Sequence, residues 1–346
     1  MKLLIVTQTV DDGDPVLGFF TRWIEKLASD FERIEVICLS EGKHMLPENV
    51  RVHTLGKENT GGGKRKIGKR VRYVLRFITL AWKLRREYDT VFVHMNQEYV
   101  LIGALLWKLL SKRIYMWRNH GSGSWPTHLA ALWCRRVFYT SSASYTARFR
   151  NALRMPVGVD LERFSAPAGA SRLPGSILMA GRVSPKKHVR EVVEALLALQ
   201  RDGTQAALTL AGPMDDAAYR DKVVGLANSG NIGLSVRGAV PHAELSRIYA
   251  EHDIVVNISA PGMFDKTMLE ALASGCLLLT RHEDLSGVLD PRLSTSGEVP
   301  DIAQKIRTLL RLSQEEKDAL REEGKRVARA HDLNTLVAQL AKELYA

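Results

Sequence analysis

Short apolar runs alternate along this chain with segments whose apolar residues recur every third or fourth position. KLLIVTQ, IEVICLS, VRVHTL, TVFVHM, RIYMWRN and VFYTS are rich in β-branched and aromatic residues and too short for helices, so they read as buried strands. Between most of them lie helical periodicities, around 19–28, 71–86, 101–110 and 129–136. Such alternation argues for a parallel sheet covered on both faces. The pattern then restarts with SILMAG, QAALTLAG, IGLSVRG, DIVVNIS and CLLLT as strands and helices near 189–199, 217–227, 243–251 and 267–274. Two further helices are expected in the tail. One opens with a capping box, in which Ser313 and Glu316 satisfy each other's backbone N–H groups, and the other follows Asp332. FSAPAGASRLPGS, between the two patterns, reads as a linker.

The expected architecture is therefore α/β, with two Rossmann-like domains facing a central cleft. Residues 1–160 form the first and 161–330 the second, and 331–346 form a helix that packs back on the first. The 346 residues suit two domains of about 150 residues each. Cys38, Cys134 and Cys276 lie far apart in sequence, which fits a reducing compartment and offers no metal-ligand spacing. MKLLIVTQTVDD has too few apolar residues for a secretion signal. The longest apolar run ends at Lys108, short of the ~20 residues a membrane-spanning helix needs. A cytoplasmic chain is expected.

Charge changes the picture for the first half. Residues 1–160 carry 26 Lys and Arg against 14 Asp and Glu, whereas residues 161–346 carry 23 against 24. Ten cations lie from Lys64 to Arg86 with no acid among them, interleaved with Ile67, Val71, Leu75, Phe77, Ile78 and Trp82. This is a basic amphipathic helix with three readings: a solvated face, a membrane-docking surface, or a nucleic-acid site. The last lacks any accompanying reader motif. Lys64, Arg65, Lys66, Lys69 and Arg70 would be the membrane or acceptor surface. Each cation near an anionic leaflet contributes roughly 1 kcal/mol, so five would give about 5 kcal/mol.

In an open α/β sheet ligands bind beyond the carboxyl ends of the strands. After SILMAG, the stretch GRVSPKKHVREVV places Arg182 and Lys187 at the start of a helix. Two cations beside free helix N–H groups suit a diphosphate; solvated surface charges are the alternative. After DIVVNISA, MFDKTMLEALASG enters a helix with Glu270 in its early turns, where a carboxylate could accept hydrogen bonds from vicinal hydroxyls such as a ribose's, or simply face solvent. No DxD, HExxH or paired Cys/His is read, so neither a metal nor another cofactor is expected.

Taken in order and spacing, GRVSPKK, LTLAGP, RGAVPHAELSRIYAEHDIVVNIS and DKTMLEALASG resemble the donor-binding half of glycosyltransferase family 4, retaining enzymes of the GT-B fold. Upstream, PVGVDLERF looks like the family's interdomain crossing. The resemblance implies that Arg182 and Lys187 hold the donor diphosphate, that Glu270 binds the ribose, and that the stretch from Arg237 to Val240 reads the base. Lys266 and Thr267 fall in the same donor-binding set. Gly18 would lie near the donor phosphates and His120, in RNHGSGS, near the reacting sugar; His94 reads as structural.

The chain departs from the pattern at the family's first glutamate, which would stand at Gly262. Asp265 is the nearest carboxylate that could replace it at the sugar hydroxyls, and capping of the helix near Thr267 is the competing role. An Asp-Lys variant resembles a branch of the family. The implied activity is front-face transfer of a sugar from a nucleotide sugar to an acceptor hydroxyl. Cations and helix ends would stabilise the leaving diphosphate without a metal. The acceptor would be a lipid-linked or cell-envelope glycan precursor, with the protein peripheral on an anionic inner-membrane surface and no nucleic acid involved. Rivals are a nucleotide-sugar epimerase of the same shape, for which no carboxylate set is seen in the first domain, and a non-catalytic binding relative.

Overall fold

The computed structural model describes residues 1–14, 16–57, 66–165, 172–259 and 264–346. The chain divides into two compact units, residues 1–156 with 334–346, and 157–333.

The first unit contains β1 (Lys2–Val10), α1 (Gly18–Leu27), β2 (Arg33–Glu41), β3 (Val50–Thr54), α2 (Lys66–Lys83), β4 (Thr90–His94), α3 (Gln97–Leu109), β5 (Arg113–Trp117), α4 (Trp125–Trp133), β6 (Arg136–Tyr139) and β7 (Ala152–Arg154). Its sheet runs β3-β2-β1-β4-β5-β6-β7, every neighbouring pair parallel. Continuous apolar strands such as β4, buried throughout, require cover on both faces. Phe77 of α2, Trp107 of α3 and Ala130 of α4 pack with Val91, Met116 and Val137 of the sheet in one core.

The second unit contains α5 (Leu161–Phe164), β8 (Leu173–Ala180), α6 (Val189–Arg201), β9 (Ala207–Ala211), α7 (Ala217–Ser229), β10 (Gly233–Gly238), α8 (His242–Glu251), β11 (His252–Asn257), α9 (Lys266–Ala273), β12 (Leu277–Thr280), α10 (Val299–Arg311) and α11 (Gln314–Arg329). The sheet order is β10-β9-β8-β11-β12, again all parallel. The last helix, α12 (Leu333–Tyr345), lies almost entirely in the first unit. Tyr345 stacks on Phe31 at 5.2 Å, and its carbonyl accepts from Arg113 at 2.7 Å.

Several elements differ from the sequence expectation. The tail holds three helices, because Ile302, Ala303, Ile306 and Leu309 give α10 a buried stripe that had passed unread. β7 is a three-residue edge strand, too short to show a period. α4 begins at Trp125 and ends before Arg136, which belongs to β6. Its start is set by Thr127, whose Oγ1 accepts the Ser124 N–H at 3.1 Å. The chain passes between units after Pro156, ahead of the stretch expected as a linker. Phe164 is buried in the second core, Leu173 onward is strand, and 166–171 lie outside the described residues.

Candidate functional site

In the second unit the chain leaves β8 in one direction and returns from β11 in the other, which opens a crevice at the carboxyl ends of these two strands. A pocket lies there, lined by Ala180, Gly181, Arg182, Lys187, Val256 and Asn257. Gly181 turns the chain out of β8 at φ 113°, a conformation side chains oppose. A Cβ on Gly212, at the end of β9, would sit 2.0 Å from the Gly181 carbonyl oxygen.

The turn Pro185–Lys187 delivers the chain to α6 through His188, held left-handed at φ 54°. Its imidazole is gripped on both sides, by Glu191 at 3.0 Å and by Arg281 at 2.9 Å. Arg281 also donates to the Ser259 carbonyl at 3.2 Å. Lys187 therefore leaves a fixed turn at the N-terminal end of a 13-residue helix. Arg182 is exposed, 3.8 Å from Asp215.

Across the pocket, β11 ends in Asn257, buried among apolar neighbours. Its Nδ2 donates to Asp265 Oδ2 at 3.1 Å and to Thr267 Oγ1 at 3.0 Å. Asp265 is the N-cap of α9, its Oδ1 accepting the Thr267 N–H at 3.2 Å, and it also forms an ion pair with Lys187. Burial raises the Asp265 carboxyl, but the Lys187 charge and the hydrogen bonds from Lys187, Asn257 and Thr267 outweigh it and hold the group below its usual range. The capping role weighed for Asp265 is present, and a second contact, to the lysine assigned to the diphosphate, accompanies it.

One turn on, Glu270 is 2% exposed. Its Oε1 lies 2.9 Å from His242 Nε2, and the Tyr249 hydroxyl donates to Oε2 at 3.4 Å. Burial and the Glu270 charge push the Tyr249 phenol well up, so it stays a donor. Lys266 is pushed down to about 7 by burial, against the raising effect of the Glu270 and Asp160 carboxylates. Arg237 is exposed at the end of edge strand β10, and Val240, beyond it, packs on the core.

Lys187 and Asp265 thus touch, Arg182 lines a pocket with Lys187, and Lys266 and Glu270 sense each other's charge. Asn257, His242 and Tyr249 had not been singled out. Asn257 carried a signal, a polar residue closing the run DIVVN; His242 and Tyr249 carried none, since their partner lies in another helix.

Gly18 and His120 belong to the first unit. A Cβ on Gly18 would lie 2.9 Å from the Asp12 carbonyl oxygen, so this glycine lets α1 start against its own loop. In that loop Asp12-Gly13-Asp14 corrects the expectation that no DxD is present, but Asp14 Oδ1 accepts the Val16 and Leu17 N–H groups at 2.8 and 2.7 Å. His120 is exposed, its Nδ1 3.0 Å from the carbonyl, N–H and hydroxyl of Ser122. His94 is buried, stacked on Phe20 at 3.6 Å. Of the five basic residues expected as a docking surface, Arg70 is exposed on α2. Lys66 and Lys69 stand in the first turn of α2, their side chains undescribed, and Lys64 and Arg65 lie outside the described residues, as does Gly262. Among the described residues, no group of three or more His, Cys, Asp or Glu could hold a metal ion, and no helix is long and apolar enough to cross a membrane.

Many solved structures match along the chain. One is Anabaena Alr3699/HepE in complex with UDP and glucose (19% identity, TM-score 0.77, all of both chains). Another is sucrose-phosphate synthase from Thermosynechococcus elongatus (16% identity, TM-score 0.79, all of this chain and 98% of that one). The fold is GT-B. Residues 187–342 match the family model described as glycosyl transferase-like. Two curated relatives are each 24% identical. A GtfA subunit of the UDP-N-acetylglucosamine–peptide N-acetylglucosaminyltransferase of Streptococcus pneumoniae aligns over 143 residues, 41% of this chain. The α-monoglucosyldiacylglycerol synthase of Acholeplasma laidlawii aligns over 150 residues, 43% of this chain. The alignments span 27% and 34% of those relatives' lengths.

Proposed function

We propose that this protein is a glycosyltransferase of the family 4 type, moving a sugar with retention from a nucleotide-sugar donor to an acceptor hydroxyl. The observation that carries the reading is the pocket between β8 and β11, where Arg182 and Lys187 converge at a helix N-terminus. A diphosphate there would meet two charged donors at the positive end of the α6 dipole. Glu270, the fifth residue of α9 and oriented by His242 and Tyr249, would accept the ribose hydroxyls. Arg237 to Val240 would pass the base, and His120 the reacting sugar. That a GT-B neighbour was solved with UDP and glucose supports a donor of this class.

In the reaction the acceptor oxygen would approach the anomeric carbon from the face the diphosphate leaves. The bond from that carbon to the phosphate oxygen breaks as the new one forms, and the departing phosphate takes the acceptor's proton. Arg182 and Lys187 would stabilise the charge building on the diphosphate, a role that needs no metal. Transfer should therefore survive EDTA. We further propose a lipid-linked or cell-envelope glycan precursor as acceptor, met from the cytoplasmic side of a membrane, because the chain's basic surplus lies in residues 1–160.

A second reading, donor binding without transfer, is favoured by the Lys187–Asp265 ion pair, which already occupies one cation of the cradle. Incubating wild type and Arg182→Ala with UDP-glucose and following release of UDP separates the two. Turnover in wild type lost in the variant supports the enzyme. Binding without turnover across a panel of nucleotide sugars and lipid-linked acceptors leaves the non-catalytic reading.

A further inference from the structure

Three helices of the first unit carry apolar side chains on the side they do not bury. On α2, Val71, Leu75, Ile78 and Trp82 recur at i, i+4, i+7 and i+11 and are exposed, while Phe77 and Ala81 face the core. On α3, Leu105 and Leu109 are exposed at i and i+4, Leu109 at 76%, while Ala104 and Trp107 are buried. On α4, Trp125 and Leu132 are 74% and 82% exposed, while Ala130 and Ala131 are buried. α2 packs beside α3 and α3 beside α4, over the same core. Eight of the large apolar side chains exposed among the described residues thus lie on three adjacent helices.

The charge on these helices decides what could cover them. α2 carries six Lys or Arg and no acid, α3 carries Lys108 and Glu98, and α4 carries neither sign. A second copy meeting this face through a two-fold axis would set each basic helix set against its own image, a repulsive arrangement. An anionic bilayer satisfies both features: its headgroups meet the cations, and its interfacial region takes Trp and Leu side chains. Arg85 lies over the Trp82 ring at 4.4 Å, so one edge of the stripe already pairs a cation with an aromatic suited to that depth.

We propose that the outer face of α2, α3 and α4 is a membrane-docking surface for anionic lipid. Docking enters through the apolar side chains of all three helices, in addition to the charge of α2. This deepens the peripheral-membrane part of the proposed function but does not depend on sugar transfer, because it is measured without donor.

The test uses the full chain and vesicles of phosphatidylglycerol and phosphatidylcholine in equal parts, alongside phosphatidylcholine alone. Wild type should sediment with the anionic vesicles and retain part of its binding in 0.5 M salt, where exposed charges are screened within about 4 Å. Replacing Leu105, Leu109, Trp125 and Leu132 by Ser should remove the salt-resistant part and lower affinity at low salt by about tenfold. These side chains are exposed, so the variant should keep the wild-type melting temperature. Vesicles with brominated acyl chains should quench tryptophan emission, and Trp82→Phe with Trp125→Phe should remove most of the quenching, since Trp23, Trp107 and Trp117 are buried and Trp133 is half-buried. The proposal is overturned by salt-resistant binding that the Ser variant retains, by absence of quenching, by equal binding to neutral vesicles, or by a dimer in solution that the Ser variant dissociates. UDP release by a chain that binds no vesicles would remove this surface while leaving sugar transfer standing.

Discussion

The two sheets share a strand order around their crevices, yet the carboxyl ends that flank those crevices differ in chemistry. At the ends of β1 and β4 the strand residues are polar and satisfy one another, and the loop leaving β1 carries Asp11, Asp12 and Asp14 and no cation. Gln8 donates to Asn96 at 2.9 Å and Thr7 meets buried His94 at 3.3 Å, while on the β2 side Thr9 and Ser40 lie 2.7 Å apart. Between β8 and β11 stand Arg182, Lys187 and the carboxylate of Asp265. The basic surplus of the first half is thus not at this crevice; much of it lies on α2. Parallel topology decides where a crevice opens, and the side chains after each strand decide what it can hold.

The comparison breaks most visibly at Glu270. A buried carboxylate held by His242 and Tyr249 cannot be truncated without leaving those partners unpaired, so Glu270→Ala should destabilise the fold by about 3–5 kcal/mol. Glu270→Gln keeps the shape and is the variant for testing ribose binding. Equal melting temperatures for Glu270→Ala and wild type would mean that the network is not formed.

Next come the cations. Arg182→Ala and Lys187→Ala should each weaken UDP binding by about 1.5–3 kcal/mol, whereas Gln8→Ala and Asn96→Ala should leave it unchanged. Calorimetric titration of all four variants checks the contrast. A loss at Gln8 as large as at Lys187 would erase the distinction between the crevices.

Asp265→Asn sharpens the second crevice from within. Asparagine can still cap α9 but loses the ion pair with Lys187, so stability at neutral pH should fall by the carboxylate's share, and freeing Lys187 should tighten UDP by about two- to threefold. Turnover should fall about ten- to hundredfold if the carboxylate touches the sugar. A parallel loss of stability and UDP affinity would make Asp265 a cap alone. Because the folded pKa is depressed, the unfolded chain binds this proton first as pH falls. The stability Asp265 contributes is present above about pH 4 and is lost below it as pH falls through the folded value, so acid unfolding should be shallower in the variant.

The smallest expected effect is at Lys266. With its ammonium pushed down to about 7, UDP affinity should fall by several-fold between pH 7 and 9, and stay level in Lys266→Met. The stability sign is opposite to that of binding. The neutral lysine suits the folded state, so this group's contribution is full above about pH 10 and is lost as pH falls through 7. A wild-type affinity flat across that range would place Lys266 away from the phosphates.

Much of this was legible in one dimension. Each strand read from an apolar run is present, and the motif carrying Arg182 and Lys187 sits at the crevice its order implied. The misses share a cause: β7 is too short to show a period, and α10's stripe passed unread in a polar tail. The stretch at 164–176 was misread because composition marks flexibility and does not mark where a unit's core begins. Phe164 is already inside that core.

By itself the sequence determined the alternation of strand and helix, the parallel class that follows from it, and the placing of cations and carboxylates just after particular strands. Those are local properties, set by side-chain period and backbone propensity within a few residues. Tertiary structure alone decided the partners: Lys187 with Asp265 across 78 positions, Glu270 with His242 across 28, and Asn257 between two residues of the next helix. Parallel crossovers bring together strand ends that lie far apart in the chain, and a period says which way a side chain faces without saying what it will meet there.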